Sequence, residues 1–303
     1  MNVVVLAGGL GGSRFARALT ETLPPTDVTV VGNVGDDLEV AGLRVSPDLD
    51  TILYTLAGVL DEAQGWGRAG ETWNARDAAT ELGGETWFQL GDRDLGLHLA
   101  RTEALRRGEP LSTITARFAR RFGVEATLLP ATDNRLRTWI ATPAGEFPFQ
   151  EWFVRRGHRD EVDAVRFEGA DQARSAPGLL DALDAADLIA IAPSNPFVSI
   201  GPILAIAEIR DALEHRRVPA VAVSPLIGGR TVRGPADRML QRLAGGTAPA
   251  QVTDCYQGLI DALVIDEADA HEEAGIQTIV TRTLMTDAEA RRRLAEAVLG
   301  IPV

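Results

Sequence analysis

The most constraining feature of the sequence is a short, continuous apolar run that leads directly into glycines and then into a helical pattern. Residues 3–6 read Val-Val-Val-Leu, and an uninterrupted apolar run of this kind is typical of a strand buried on both faces of a sheet. A glycine-rich turn, 8–12, follows, and we predict a helix from Ser13, its N-cap, to about Leu23. A second apolar run at 28–31 completes a β-loop-α-β unit, which predicts a parallel, right-handed crossover.

The same alternation returns in the second half of the chain. Further strands are predicted at 126–129, 139–142, 162–167, 188–192, 220–223, 263–265 and 277–280, with 139–142 and 162–167 forming a small antiparallel excursion. Helices are predicted at 48–60, 74–82, 95–107, 111–122, 178–186, 201–216, 235–244, 252–260 and 286–298. We therefore expect one α/β domain over residues 1–303, a doubly wound, mostly parallel Rossmann-like sheet with a mainly helical insertion at about 61–125.

Composition narrows the classes of function. The net charge of -13 argues against nucleic acid and anionic membranes as partners, and no apolar run reaches the roughly 18 residues that cross a bilayer. All 30 basic residues are arginine, so a Walker A phosphate loop and a lysine Schiff base are excluded. The only cysteine, Cys255, cannot form a disulfide within the chain, and residues 1–6 lack the basic region of a signal peptide. We therefore expect a cytoplasmic protein.

The first candidate site is the glycine turn after the first strand. Gly8, Gly9, Gly11 and Gly12 would let the backbone approach an anion, and the free N–H groups of the following helix favour phosphate. The alternative is a tight turn without a ligand. Arg14 stands where the dinucleotide fingerprint has its third glycine, which argues against a nicotinamide-dependent oxidoreductase.

An acidic cluster follows the second strand. Asp36 and Asp37 come directly after it, and Asp48 and Asp50 straddle the predicted start of a helix. Carboxylates beside a phosphate site repel it unless a cation lies between them, and Mg²⁺ is the hard cation that oxygen ligands prefer. The cluster therefore predicts a metal or substrate role, while Asp48 by itself fits a helix N-cap.

A third candidate lies between two glycines, where the sequence reads Gly91-Asp92-Arg93-Asp94. Arg93 could clamp a phosphoryl group with two parallel hydrogen bonds. Asp94 could instead cap the helix that follows.

Two loops after late strands complete the set. Ser194, Asn195 and Ser199 follow the strand at 188–192, at the sheet edge where open α/β folds bind ligands. Gly228 belongs to a glycine- and arginine-containing loop after the next strand, which could hold a second anion. A rigid turn and a solvated loop are the respective alternatives.

An aromatic pair, Trp152 and Phe153, lies downstream of a polar loop at 129–134. The order of loop, strand and loop suits an acceptor site with an aromatic wall. We nevertheless predict that both rings pack in the core.

Taken in order, these motifs resemble one family nearly end to end. The resemblance is carried by Ala7-Gly8-Gly9-Leu10-Gly11-Gly12, Asn33-Val34-Gly35-Asp36-Asp37, Ser46-Pro47-Asp48-Leu49-Asp50-Thr51, Leu90-Gly91-Asp92-Arg93-Asp94, Pro193-Ser194-Asn195-Pro196, Ser199-Ile200-Gly201-Pro202 and Ser224-Pro225-Leu226-Ile227-Gly228-Gly229. The chain is similar to the 2-phospho-L-lactate transferases of coenzyme F420 biosynthesis, including their actinobacterial phosphoenolpyruvate-using branch.

The resemblance implies a reaction and its participants. A guanosine diphosphate ester of 2-phospholactate or enolpyruvate phosphate binds with Mg²⁺, the ribityl hydroxyl of the deazaflavin Fo attacks, and GMP leaves. It implies that Asp48 and Asp50 hold the metal or orient the acceptor, that Arg93 contacts the acceptor or the transferred phosphoryl group, and that the protein is a homodimer.

Three positions depart from the family's pattern: Ala131 replaces a methionine, Asn134 an aspartate and Arg233 a lysine. Asn134 puts an acidic role at that position in doubt. A sugar-nucleotide-binding regulatory protein of the same fold, without transferase activity, is the alternative reading of the whole pattern.

Overall fold

A computed structural model describes residues 1–300 of the chain. Its strands are β1 (Val3–Ala7), β2 (Val28–Gly32), β3 (Leu38–Val40), β4 (Leu43–Val45), β5 (Thr127–Pro130), β6 (Arg137–Thr142), β7 (Gly145–Pro148), β8 (Ala164–Glu168), β9 (Leu188–Ile191), β10 (Ala220–Val223), β11 (Leu226–Ile227), β12 (Arg230–Thr231), β13 (Ala262–Asp266) and β14 (Gln277–Thr281).

Helices connect these strands. They are α1 (Gly9–Thr22), α2 (Pro47–Leu56), α3 (Asn74–Glu81), α4 (Asp92–Arg106), α5 (Leu111–Arg121), α6 (Leu179–Asp184), α7 (Gly201–Leu204), α8 (Ala207–Glu214), α9 (Ala236–Leu243), α10 (Pro249–Cys255) and α11 (Ala288–Leu299). Short 3-10 or π-helical turns occur at Pro25–Asp27, Glu151–Arg155, Pro196–Ile200 and Glu267–Asp269. None of the helices in residues 1–300 combines the length and apolar character needed to cross a bilayer.

The central sheet of residues 1–300 has seven parallel strands in the order β14-β13-β10-β9-β1-β2-β5. Strands β1, β9, β10 and β13 are buried along their whole length, as their continuous apolar sequences require. The prediction of a doubly wound, parallel α/β sheet is confirmed.

The direction in which the chain adds strands reverses between β1 and β9. After β1 the chain builds outward through β2 and β5, and it then returns to the other side of β1 to build β9, β10, β13 and β14. Val5 in β1 pairs with Val30 in β2 and with Ala190 in β9. Loops leaving adjacent strands in opposite directions open a crevice at the carboxyl edge, and such crevices bind ligands in open α/β sheets.

Small antiparallel sheets flank the central one. The predicted excursion is confirmed as the β7-β6-β8 sheet, in which Ile140 pairs with Val165. The hairpins β3–β4 and β11–β12 were not predicted, because strands of two or three residues leave no alternating pattern to detect.

Helix boundaries correct two of the predictions. Helix α1 begins at Gly9, with Gly8 at the N-cap position, so Ser13 does not cap it and the glycine turn is its first turn. Helix α2 begins at Pro47 and ends at Leu56, which is four residues short of the predicted end.

The stretch predicted as a helical insertion contains α3, α4 and α5. Apolar side chains of this stretch, Leu97, Leu111, Ile114 and Ala119, are buried, and Leu97, Leu111 and Ala119 belong to the same core cluster as the central sheet. The division of the chain into one domain with an insertion stays a prediction.

Candidate active site

A cleft of about 660 Å³ opens at the carboxyl edge of the central sheet, between β1 and β9, where the order of strand addition reverses. It is lined by residues from the loops after β1, β2, β9 and β10 and from the segment between α2 and α4. Predicted site residues on its wall are Gly8, Gly9, Gly11, Asp36, Asp48, Asp50, Ser194, Asn195 and Ser199. The sheet topology therefore brings together motifs that are far apart in sequence.

The glycine turn packs against the start of α2 and the loop after β9 more closely than any side chain would allow. A Cβ on Gly8 would lie 2.5 Å from Asp48 Oδ2, and one on Gly11 would lie 2.5 Å from the Pro193 carbonyl oxygen. The Ser194 hydroxyl donates to the Gly8 carbonyl at 2.8 Å and accepts from the Gly8 N–H at 3.4 Å. The first turn of α1 is thus open to the cleft, with N–H groups that have no partner inside the helix.

Gly12 has a structural reason of its own to be glycine. It is not part of the cleft lining, but a Cβ there would lie 2.7 Å from the Ser194 hydroxyl oxygen. It therefore lets the loop after β9 close onto α1, which places Ser194 at the cleft.

Asp36 and Asp48 share one amide. The Asn33 side chain donates to Asp48 Oδ2 at 2.9 Å and to Asp36 Oδ1 at 3.5 Å, and Gln150 donates to Asp36 Oδ2 at 3.1 Å. Burial raises the pKa of Asp48 to about 6, although hydrogen bonds from Asn33 and the Gly9 backbone lower it. Burial, followed by repulsion from Asp48, raises the pKa of Asp36 well above its ordinary value.

This pair has the chemistry of a partial magnesium site. Within residues 1–300, no three His, Cys, Asp or Glu side chains converge as a complete protein site would require. Mg²⁺, however, is usually held by one or two carboxylates together with substrate phosphates and water. Asp36 and Asp48 fit that arrangement. Both are buried, the charge of each disfavours the charge of the other, and they lie beside the N-terminus of α1.

Asp50 faces the cleft but both of its oxygens are engaged from behind. Arg101 Nη1 donates to Asp50 Oδ2 at 3.0 Å, and Nη2 donates to Oδ1. His98 Nδ1 lies 3.2 Å from the same Arg101 Nη1, and burial lowers the pKa of His98 to about 4, so this imidazole is neutral. Asp50 is therefore a buried, ion-paired carboxylate at the cleft floor, and its partner makes it a poorer metal ligand than Asp36 or Asp48.

Asp94 lines the cleft and does not cap its helix. The N-cap position of α4 is Gly91, and Asp94 stands in the first turn, where it is 6% exposed. The Tyr54 hydroxyl donates to Asp94 Oδ1 at 2.5 Å, and burial raises the pKa of Asp94 to about 6. The capping alternative is likewise wrong for Asp48, because the N-cap position of α2 is Ser46.

Three other predicted residues are not part of the cleft lining. Asp37 accepts from the Ser46 hydroxyl at 2.8 Å, and burial raises its pKa to about 7. Arg93 donates from Nη1 to the Ala69 carbonyl at 3.0 Å, so its side chain holds the segment before α4. The Gly228 N–H donates to Asp269 at 3.0 Å, while the neighbouring Ile227 reaches the cleft.

Aromatic rings form a wall of the cleft, which was largely missed from sequence. Its rings are Trp66, Trp87, Phe88, Phe149 and Phe153. Trp152 is buried as predicted, whereas Phe153 lies at the cleft and stacks on Phe149, with ring centroids 5.2 Å apart. The available signal was the presence of several aromatic residues in a stretch without helical periodicity, in a chain with only 5% aromatics.

Cationic groups at the cleft come from two places in the chain. Arg14 on α1 pairs with Glu62 at 3.0 Å, and Arg233, in the loop after β12, donates from Nη1 to the Gln64 carbonyl at 3.0 Å. Both guanidinium groups therefore sit beside the segment that carries Trp66. The uncharged His98 is the remaining basic side chain of the lining.

Comparisons with known proteins cover nearly the whole chain. Residues 3–299 match the family model described as "2-phospho-L-lactate transferase CofD". A phosphoenolpyruvate transferase of Streptomyces griseus is 43% identical over 312 residues, which cover 99% of this chain and 98% of the relative. A protein of the same name from Thermobifida fusca is also 43% identical, over 318 residues, with the same two coverages.

Two solved structures share the fold. Both are of a Bacillus halodurans protein, one of them described as a member of the UPF0052 family. They are 18% and 19% identical to this chain, with TM-scores of 0.67 and 0.68. Each superposition covers 98% of this chain and 99% of the solved chain. At this level of sequence identity, the similarity shows a shared fold and nothing more.

Proposed function

Because the chain belongs to the 2-phospho-L-lactate transferase CofD family of phosphoryl-group transferases, we propose a specific donor and a specific acceptor for its reaction. The donor is a guanosine diphosphate ester of a phosphorylated three-carbon acid, and the acceptor is the ribityl hydroxyl of the deazaflavin Fo. The names of the relatives favour enolpyruvate phosphate over 2-phospholactate as the transferred group. The products are GMP and a phosphodiester of Fo.

One observation carries this proposal: a single cleft is lined by two kinds of group. The open turn of α1, the Ser194 loop and the Asp36–Asp48 pair suit a diphosphate. The aromatic rings of the same lining suit a planar polycyclic acceptor. A volume of about 660 Å³ lies within the range of sites for small molecules and cofactors.

We assign the donor to the backbone N–H of Gly11 and to the side chains of Asn195 and Ser199, with Ser194 holding the glycine turn beside them. These are neutral donors at a helix N-terminus, where backbone N–H groups and the helix dipole favour phosphate. Arg14 and Arg233 supply the positive charge that an anionic ligand needs in a protein of net charge -13.

Asp36 and Asp48 are the residues that would hold Mg²⁺. The cation would neutralise charge on the donor phosphates and relieve the repulsion between the two buried carboxyl groups. Both oxygens of Asp50 accept hydrogen bonds from Arg101, which makes Asp50 a poorer ligand for the cation. Its role would instead be to orient the reacting groups at the cleft floor.

In the transfer itself, one bond forms and one breaks. The acceptor oxygen bonds to the phosphorus that bears the three-carbon acid, and the bond from that phosphorus to the GMP oxygen breaks, with its electron pair leaving on GMP. Such reactions depend on in-line positioning and charge neutralisation, which a cleft with fixed walls provides.

The test is a reaction of the purified protein with Fo, Mg²⁺ and each of the two activated guanosine donors in turn, with the products identified by mass spectrometry. We expect GMP and the enolpyruvyl phosphodiester of Fo. Tight binding of the donor without any product would contradict the proposal and favour a sugar-nucleotide-binding regulatory protein.

We further propose that the protein is a homodimer, as the family resemblance implies, and that it is cytoplasmic, as the single cysteine favours. Sedimentation velocity at micromolar concentration checks the oligomeric state. A monomer across the accessible concentration range would rule out the dimer and leave the proposed reaction untouched.

A further inference from the structure

We propose that Asp94 is the general base of the transfer, the group that accepts the proton of the attacking hydroxyl. This assignment rests on the proposed function and deepens it. When the acceptor oxygen bonds to phosphorus, its proton has to leave, and a carboxylate within reach of the hydroxyl is a suitable acceptor.

Elimination among the carboxyl groups of the cleft points to Asp94. In the part of the chain that the structure describes, four carboxyl side chains line the cleft: those of Asp36, Asp48, Asp50 and Asp94. The first two are bridged by Asn33 and suit the cation, and Asp50 has both oxygens on Arg101. Asp94 remains, and it has no basic partner that fixes both of its oxygens.

The two oxygens of Asp94 have different surroundings. Oδ1 accepts the Tyr54 hydroxyl at 2.5 Å, whereas Oδ2 accepts no hydrogen bond from residues 1–300. Gly67 in the loop opposite lies close to this oxygen, since a Cβ there would lie 3.5 Å from Oδ2. Tyr54 therefore fixes the carboxylate plane and leaves one oxygen to receive a proton.

The start of α4, which carries Asp94, is fixed to the segment that precedes it. Glu71 accepts the backbone N–H groups of Arg93 and Asp94 at 2.7 and 3.0 Å, which ties the start of α4 to the segment that carries Trp66. The carboxyl group is thereby held at the cleft, beside the segment that contributes Trp66 to the aromatic wall.

Burial and the neighbouring charged groups together set the pKa of Asp94. The charged or titratable groups that face it are Tyr54 and Asp50 on α2, Glu71 and Arg68 on the segment after α2, and His98 one turn further along α4. Burial raises the pKa of Asp94 to about 6, with the Tyr54 hydrogen bond opposing this rise. A base of that pKa is ionised at neutral pH and still basic enough to accept a proton.

The test compares pH profiles of kcat for the wild type, Asp94→Asn and Tyr54→Phe with Fo and the activated donor. At saturating Mg²⁺, which keeps Asp48 ionised, Asp94→Asn should lower kcat about 100-fold or more with little change in KM for Fo, and the decline of kcat below about pH 6 should vanish. Tyr54→Phe removes a hydrogen bond to the carboxylate, so that decline should move to higher pH. Glu103→Gln, an exposed carboxyl change on the same helix, should leave the profile unchanged.

Each outcome decides the assignment. If Asp94→Asn keeps near-wild-type kcat, or if Tyr54→Phe leaves the acidic decline where it was, Asp94 is not the base. Should Asp94→Asn fail to fold by circular dichroism, the shift in Tyr54→Phe decides alone. If the wild type forms no product with Fo, the proposed function itself fails and this assignment with it; normal wild-type turnover with unaffected variants overturns the assignment only.

Discussion

At the scale of single residues, Arg101 has a clear role in the structure that its position in the sequence does not indicate. It is 2% exposed, pairs with Asp50 through both terminal nitrogens, and lies with its guanidinium carbon 5.8 Å from the centre of the Phe118 ring. Asp50 is 51 residues away in sequence. A helical period places Arg101 on α4, but it does not reveal which acid the helix will meet.

Removing one partner of this ion pair should be costly. We expect Arg101→Met to lower the free energy of unfolding by about 3–5 kcal/mol, because Asp50 is left as a buried charge without compensation. Urea denaturation followed by circular dichroism measures the change.

The matched control for this prediction is Arg120→Met, an exposed arginine on α5, which should change stability by less than about 0.5 kcal/mol. The double variant Asp50→Asn with Arg101→Met should recover part of the loss. Equal stability of Arg101→Met and Arg120→Met would show that the pair contributes nothing to the fold.

At the scale of elements, the start of α1 is where the fold and the site depend on the same atoms. The helix begins within the glycine turn, and the loop after β9 packs against that turn. Close backbone contact here requires the absence of a Cβ, and the N–H groups that this contact leaves open face the cleft.

Gly11→Ala tests this contact against a glycine that has no such neighbour. The new methyl group would lie 2.5 Å from the Pro193 carbonyl oxygen, so we expect a loss of stability of about 1–3 kcal/mol and a loss of donor binding. Gly96→Ala, in the exposed middle of α4 with open space around it, should stabilise the protein by up to about 1 kcal/mol. Thermal unfolding and donor titration of both variants measure the difference; similar behaviour of the two would contradict the contact.

Sequence patterns predicted the elements better than their contacts. The buried strands were predictable because a strand such as Ala220–Val223 is a continuous apolar run, and the parallel sheet rule then placed the loops after Ala7 and Ile191 at one edge. The cluster of aromatic residues is visible in the sequence, but its place at the cleft was not predictable, because Trp66 and Trp87 lie in irregular chain, where no period indicates orientation. The hydrogen bond from Arg93 to the Ala69 carbonyl also involves this irregular chain. The position of Asp94 at the cleft depends on the same segment.

At the scale of the whole molecule, an acidic protein has to attract an anionic donor. The net charge of -13 repels a diphosphate at long range, and four carboxyl groups line the cleft in residues 1–300. Arg14, Arg233 and the first turn of α1 supply local positive potential. Binding of the donor should therefore depend strongly on a divalent cation.

Thermal unfolding with GDP as the probe tests that dependence. With Mg²⁺ and GDP at about 100 times the dissociation constant, the folded state should gain about 2.7 kcal/mol, and chelation with EDTA should remove most of the gain. In Asp48→Asn the Mg²⁺ dependence should disappear, whereas Asp184→Asn on the exposed face of α6 should behave as the wild type. Equal stabilisation by GDP with and without Mg²⁺ would exclude the assigned cation role.

The place of β9 beside β1 also governs when the cleft can exist during protein synthesis. The Gly8 backbone and the Ser194 hydroxyl that bonds it are 186 residues apart, and β1 acquires its second neighbour only when β9 is available. A nascent chain that stops before residue 188 can pair β1 with β2 but has half of the crevice missing. Formation of the site is therefore a late event, which follows translation of the second half of the protein and cannot be reproduced by its first half alone.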